Sequence, residues 1–237
     1  MAKYKPIILL LLLHYILPSQ NHRTLENHSR VNLDSGLVLY YPFNGNARDA
    51  SGNGNHGMVI GVSWVADRFE NPRSAAYFDG IDDFIRVPFS SDFDFSETKQ
   101  ISAGFWSDTI GIGFGKSDQD FNFSFSIGGQ PIITEISGSF YWIRILYKPQ
   151  YVREWHQYFF TADDHFLSFW IDDTLIERRA VYNVRWNKIG LTDIFIGGGA
   201  AENIDIGELQ NGILDEIRIY NRVLNDEEIK RLYNNNN

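Results

Sequence analysis

The sequence has no cysteine and only two methionines among its 237 residues. Disulfide frameworks, thiolate-held zinc, iron–sulfur clusters and thiol nucleophiles are therefore excluded. Basic residues are the minority: 21 Lys and Arg stand against 30 Asp and Glu, a net charge of −9. That balance argues against a nucleic-acid partner, which calls for a basic patch or stripe. The acidic residues are spread along the chain and read as a solvated surface. No apolar run reaches the ~20 residues of a membrane span. The six histidines (14, 22, 28, 56, 156 and 165) form no zinc-like pair. No Gly-x-Ser-x-Gly elbow occurs. The glycine-rich stretches Gly111–Gly115 and Gly197–Gly199 do not precede a helix, so neither reads as a phosphate cradle.

What is present is aromatic and strand-like. The chain carries 18 Phe, 12 Tyr and 6 Trp, and 43% of it is hydrophobic. Both figures favour a globular all-β protein with a core large enough to need no staples.

The first residues have the layout of a secretory signal peptide. Lys3 and Lys5 precede the apolar run Ile7–Leu13, which continues after His14 through Tyr15–Leu17. Pro18 and Ser19 supply a helix stop and a small residue, so cleavage is expected near Ser19. Loss of the two lysines takes the net charge from −9 to −11. No Cys follows the run, which excludes a lipoprotein anchor. Residues 1–19 are thus expected to direct export, to the extracellular space or the periplasm. Residues 20–34 are polar and unpatterned and read as a linker.

From Gly36 onward, short apolar or alternating runs recur between Gly, Asn, Asp and Ser clusters. The predicted strands are Leu37–Tyr41, Met58–Val65, Ala75–Phe78, Phe84–Val87, Ile101–Trp106, Ile110–Phe114, Phe121–Ile127 and Tyr141–Tyr147. Five more follow: Gln157–Phe160, Phe166–Ile171, Thr174–Arg179, Ile194–Gly197 and Gly212–Tyr220. Phe121, Phe123, Phe125 and Ile127 alternate with polar residues, as a half-buried strand requires. Asp172-Asp173 reads as a hairpin turn. Strands at this spacing predict an all-β, two-sheet antiparallel sandwich or jelly roll. One short C-terminal helix is signalled by Asn225 as N-cap, Glu228 three residues on, and a Leu224/Ile229 staple. A frayed tail is expected over 234–237.

Three segments in order resemble a LamG-like jelly roll of the laminin G and concanavalin A-like lectin/glucanase superfamily. They are Gly36–Gly57, with its Gly-Asn-Gly-Asn stretch, Ala76–Val87, with Phe78-Asp79-Gly80, and Asn211–Leu224, ending at the capped helix. The Glu154-Trp155-His156-Gln157 strand and the Asp172-Asp173 turn add to the likeness. Asp173 stands where such proteins usually have Gly, and residues 128–153 match no pattern. The resemblance covers about 35–233 and implies one jelly-roll domain.

It also implies calcium (Ca²⁺) between the first loop and the last strand. Hard cations take several oxygen ligands, and Asp49, Asn53 and Asp215 are the expected ones, with Glu216 behind them. On strand alternation Asp215 falls on one face with Ile213, Ile217 and Ile219, where a bare carboxylate would be costly. Asx turns at Asp49 and Asn53, and pairing of Asp215 with Arg218 or backbone amides, are the alternative. The retaining glucanases of the resembling superfamily use two carboxylates on one strand. Here Asp215 and Glu216 are adjacent, as are Asp82-Asp83 and Asp163-Asp164, so the chain is not expected to be an enzyme. Trp106, Trp155 and Trp170 are expected to be buried. Tyr141, Trp142 and Arg144 are the expected sugar-stacking patch. The expected partner is an extracellular glycan or polysaccharide. An adhesion module for an extracellular protein and a divergent glycan hydrolase are the alternatives.

Overall fold

A computed structural model describes residues 31–235 except 109–111, 117–121, 128–131, 139–140, 148–153, 183, 185, 187–192 and 198–210; between 109 and 153 it describes strand backbones only. In chain order the strands are β1 (Leu37–Tyr41), β2 (Met58–Ile60), β3 (Ser63–Val65), β4 (Ala75–Asp79) and β5 (Phe84–Val87). Next come β6 (Ile101–Ser107), β7 (Ile112–Lys116), β8 (Asn122–Ile127), β9 (Ile132–Gly138) and β10 (Tyr141–Tyr147). The last are β11 (His156–Ala162), β12 (Phe166–Ile171), β13 (Thr174–Ala180), β14 (Ile194–Ile196) and β15 (Asn211–Tyr220), followed by helix α1 (Asp226–Asn235).

The strands form two antiparallel sheets, as the turn spacing predicts. The first runs β13-β12-β11-β6-β15-β4-β3, with β1 also paired to β15. The second runs β10-β9-β8-β7-β14-β5-β2. The core lies between them. Tyr41, Phe43, Phe78, Phe93, Phe95 and Phe105 are essentially inaccessible to solvent, and each contributes about 1.5–3 kcal/mol of burial. Among the described residues, most of the aromatic side chains are buried.

Two elements depart from the alternation read in the sequence. The single strand expected over Met58–Val65 is two. Gly61 turns the chain with φ of +74°, so that β2 pairs β5 in one sheet and β3 pairs β4 in the other. A Cβ at Gly61 would lie 1.8 Å from Asp83 Oδ1, so glycine serves both the turn and the close approach. In β15 the register against β6 shifts between Asp215 and Arg218, and Glu216 is left-handed at φ +54°. This is a bulge. Leu214 faces the core before it, and Ile217 and Ile219 after it. Asp215 therefore does not share a face with Ile217 and Ile219, contrary to the alternation. β9 is a further strand inside 128–153, where the sequence showed no pattern.

Helix α1 lies on the outer face of the first sheet. Ile229, Leu232 and Leu224 pack there with Phe159, Trp170 and Tyr220. Its start is the expected capping box: Glu228 N donates to Asn225 Oδ1 at 3.0 Å, and Asn225 N to Glu228 Oε2 at 2.9 Å. Arg222 forks onto both Glu228 oxygens at 2.9 and 2.8 Å. Burial works to raise the Glu228 pKa, but the Arg222 and Asn225 hydrogen bonds prevail and hold it below the usual value. Arg222 also donates to the Ser35 and Asn32 carbonyl oxygens, tying the chain before β1 to the helix start.

Candidate functional site

The loop after β1 is closed by its own hydrogen bonds. Asp49 Oδ1 accepts from Tyr40 N at 3.0 Å and Ser51 N at 2.9 Å. Its Oδ2 accepts from Ser51 Oγ at 2.8 Å and Asn55 N at 3.0 Å. A carboxylate has about four lone-pair sites, so protein donors engage them all. Asn53 donates through Nδ2 to Leu37 O at 2.9 Å and Ser51 Oγ at 3.0 Å. Gly52 and Gly54 take positive φ of 95° and 80°, which lets the loop turn back on β1.

Asp215 and Glu216 have other partners than the loop's own donors, and Tyr40 links the two groups, its N–H donating to Asp49 and its hydroxyl to Glu216. Asp215 Oδ2 meets Arg68 Nη1 at 2.8 Å, both side chains being nearly inaccessible. Its Oδ1 accepts from Glu216 N at 2.8 Å. Burial pushes the Asp215 carboxyl up to about 8; the Glu216 charge adds to this and Arg68 opposes it. Arg68 is itself clamped between the Phe69 and Trp106 rings, 4.4 Å from each centroid, and Trp106 stacks on Tyr233 of α1. Glu216 Oε2 accepts from Tyr40 Oη at 2.8 Å and pairs Arg218 at 2.6 Å. Arg218 lies 4.0 Å over the Tyr40 ring. Burial, assisted by Glu216, raises the Tyr40 hydroxyl far above its ordinary value. Of the alternative partners for Asp215, a backbone amide is found, at Glu216 N, but Arg218 is not: Arg68, 147 residues earlier in the chain, takes Asp215, and Arg218 takes Glu216.

Further along the same sheet, His156 Nδ1 lies 2.8 Å from Asp172 Oδ2. Asp172 Oδ1 accepts from Gln157 N at 2.9 Å. The Asp172 hydrogen bond lifts the His156 pKa above its ordinary value against the effect of burial. Asp172 carries the positive φ of the hairpin, +56°; at Asp173, where the resemblance expects Gly, no positive φ is needed.

Trp106 and Trp170 are buried, as expected, but Trp170 lies under α1. Trp155 is half-buried. Trp186, in an irregular stretch, is buried against the core. Tyr141, Trp142 and Arg144 sit on β10, opposite Gly138, Ser137 and Glu135 of β9; their side chains lie outside the described residues.

The sequence reading missed one concavity. A cavity of about 380 Å³ is lined by Asp164, His165, Phe166, Ala180, Val181 and Tyr182, where the β11–β12 turn meets the end of β13. Asp163 folds the turn, its Oδ1 accepting from His165 N and Phe166 N at 2.7 Å each. Val181 N donates to His165 O at 2.8 Å, and Trp186 Nε1 to Asp164 Oδ1 at 2.7 Å. The signal in the sequence was Asp163-Asp164 followed by His165-Phe166, read only as a turn. Asp79, Asp82 and Asp83 also converge, with carboxylate oxygens within 4.8 Å of one another. There Asp79 and Asp83 accept backbone N–H groups of their own turn.

A family model described as the concanavalin A-like lectin/glucanases superfamily matches residues 79–230 of this sandwich. The chain belongs to that superfamily. No curated protein sequence matches it. Among solved structures, the concanavalin A-like sandwich is similar to domain 4 of AbnA, a GH43 extracellular arabinanase from Geobacillus stearothermophilus, in complex with arabinotriose. The TM-score is 0.66 at 19% identity, over 84% of this chain and 98% of that domain. It is also similar to the binding domain of Paraclostridial Mosquitocidal Protein 1 (TM-score 0.68, 19% identity, 86% of this chain and 53% of the other). A third is the binding domain of botulinum neurotoxin DC in complex with rat synaptotagmin II (TM-score 0.64, 13% identity, 86% and 52%). The chain spans about half the length of these last two. At such identities the likeness is one of fold.

Proposed function

We propose that the domain is an exported, non-catalytic module that binds carbohydrate. The observation that carries this reading is the match to a domain solved with arabinotriose, which takes in 98% of that domain. The arabinanase domain is thus a relative of like extent, not a fragment of a larger fold. The arrangement of carboxylates supports the non-catalytic part. A retaining glycosidase needs two carboxyl groups ~5–5.5 Å apart with one open to the substrate. Asp215 is instead committed to Arg68, and Glu216 to Tyr40 and Arg218. A required calcium is not part of the proposal, because Asp49 and Asp215 already have protein partners. The export signal of residues 1–19 fits a glycan met outside the cell.

A protein partner is the second reading, and the β2 edge favours it. Met58, Val59 and Ile60 are 53%, 40% and 37% exposed at the end of the second sheet. An apolar sheet edge can accept an extended strand of another chain. A glycan and polysaccharide array, run with calcium and with EDTA, tests the first reading. Binding to a defined glycan without release of reducing sugar is the expected result. Turnover of the bound polysaccharide would overturn the non-catalytic assignment, and a blank array would favour a protein.

A further inference from the structure

We infer that the cavity at the β11–β12 turn is the carbohydrate contact, and that it takes an uncharged sugar unit. This inference rests on the carbohydrate reading above and gives it a place. The cavity's ~380 Å³ falls within the ~300–1,000 Å³ of small-molecule sites. Its lining has the two kinds of group a sugar needs. Phe166 and Tyr182 supply aromatic surface, and both are exposed, Tyr182 at 79% and Phe166 at 47%. Their negative ring faces suit the C–H face of a pyranose or furanose. A large aromatic ring held in solvent gains nothing for the fold, since the core is filled without it. Asp164 supplies a hydroxyl acceptor. Trp186 fixes one of its oxygens, and Lys99 stands 3.8 Å from the other, with the Asp164 side chain still 41% exposed.

Hydrogen bonds hold one wall of the cavity in place. The Asp163 turn and the Val181–His165 backbone bond hold the Asp164-His165-Phe166 segment against the end of β13. A preformed site loses little freedom on binding. Charge selects the class of sugar. Asp164 is the carboxylate in the lining, with Lys99 3.8 Å away at its far oxygen, and Asp163 precedes it in a chain of net charge −9; like charges repel. Uronates and sulfated glycans are therefore disfavoured, and neutral pentose or hexose units fit.

The test is a glycan array followed by titration calorimetry of the best neutral oligosaccharide, with arabinotriose included as a probe. Wild type, Tyr182→Ala, Tyr182→Phe and Phe166→Ala are compared, with thermal midpoints as a folding control. Tyr182→Ala and Phe166→Ala are each expected to weaken binding about tenfold, as loss of a stacked aromatic does, while Tyr182→Phe keeps most of it. Midpoints should stay put for Tyr182→Ala, since its side chain is exposed. If a neutral glycan binds the wild type and both alanine variants equally, this cavity is not the contact, and the carbohydrate reading stands elsewhere on the domain. Binding confined to acidic glycans overturns the choice of sugar class. A wild type that binds no glycan overturns both.

Discussion

Asp215 and His156 carry the acid–base behaviour of the first sheet. Burial holds Asp215 near 8, above its value in an unfolded chain, so the folded protein retains a proton that the unfolded one has shed. Its contribution to stability is fully present below about pH 4 and is lost as the pH rises through about 8. His156 acts in the same direction. The Asp172 hydrogen bond raises its pKa, so stability is present below about pH 6.5 and is lost as the pH rises through the folded value. Urea midpoints taken from pH 4.5 to 8.5 should therefore fall for the wild type. Asp215→Asn should flatten the slope except for the part above about pH 6.5 that His156 contributes, and His156→Gln should remove that part alone. A slope unchanged in Asp215→Asn would mean that the buried Arg68–Asp215 pair stays ionised throughout.

Helix α1 and the β15 bulge show what local pattern can and cannot reveal at the scale of an element. The capping box was legible because its residues stand three apart and bond one another. Asn225→Ala should cost about 1 kcal/mol. Ile229→Ala, which opens a hole under the helix beside Trp170, should cost about 2–5 kcal/mol; chemical denaturation measures both. The bulge was not legible, because its left-handed residue is Glu216, not a glycine. Reading through it put Asp215 with Ile217 and Ile219 and left Arg68 out of consideration. The split of Met58–Val65 was signalled by Gly61, but only the pairing of its halves in different sheets gives that glycine its meaning. The first loop belongs to the same scale. Since four protein donors already fill Asp49, EDTA should leave the thermal midpoint unchanged. A fall of several degrees that calcium restores would place a cation in competition with Ser51 and Asn55.

At the scale of the whole molecule, the missing cysteines leave the two sheets without disulfide links, so the closeness of their packing bears directly on stability. One such approach is at Gly197, just after β14 of the second sheet. A Cβ there would lie 2.0 Å from Phe78 Cδ1, and Phe78 belongs to β4 of the first sheet. The position also has φ of +82°, which an alanine adopts only under strain. Gly197→Ala must therefore push Phe78 out of a filled core or part the sheets there. Overpacking costs about 1–3 kcal/mol, and the left-handed backbone adds about 1 kcal/mol. Because the core between the sheets is shared by both, the loss should appear as one cooperative transition at lower urea with an unchanged denaturant slope. A separate early transition would show instead that the second sheet loosens by itself, and that the two layers are less coupled than their common core implies.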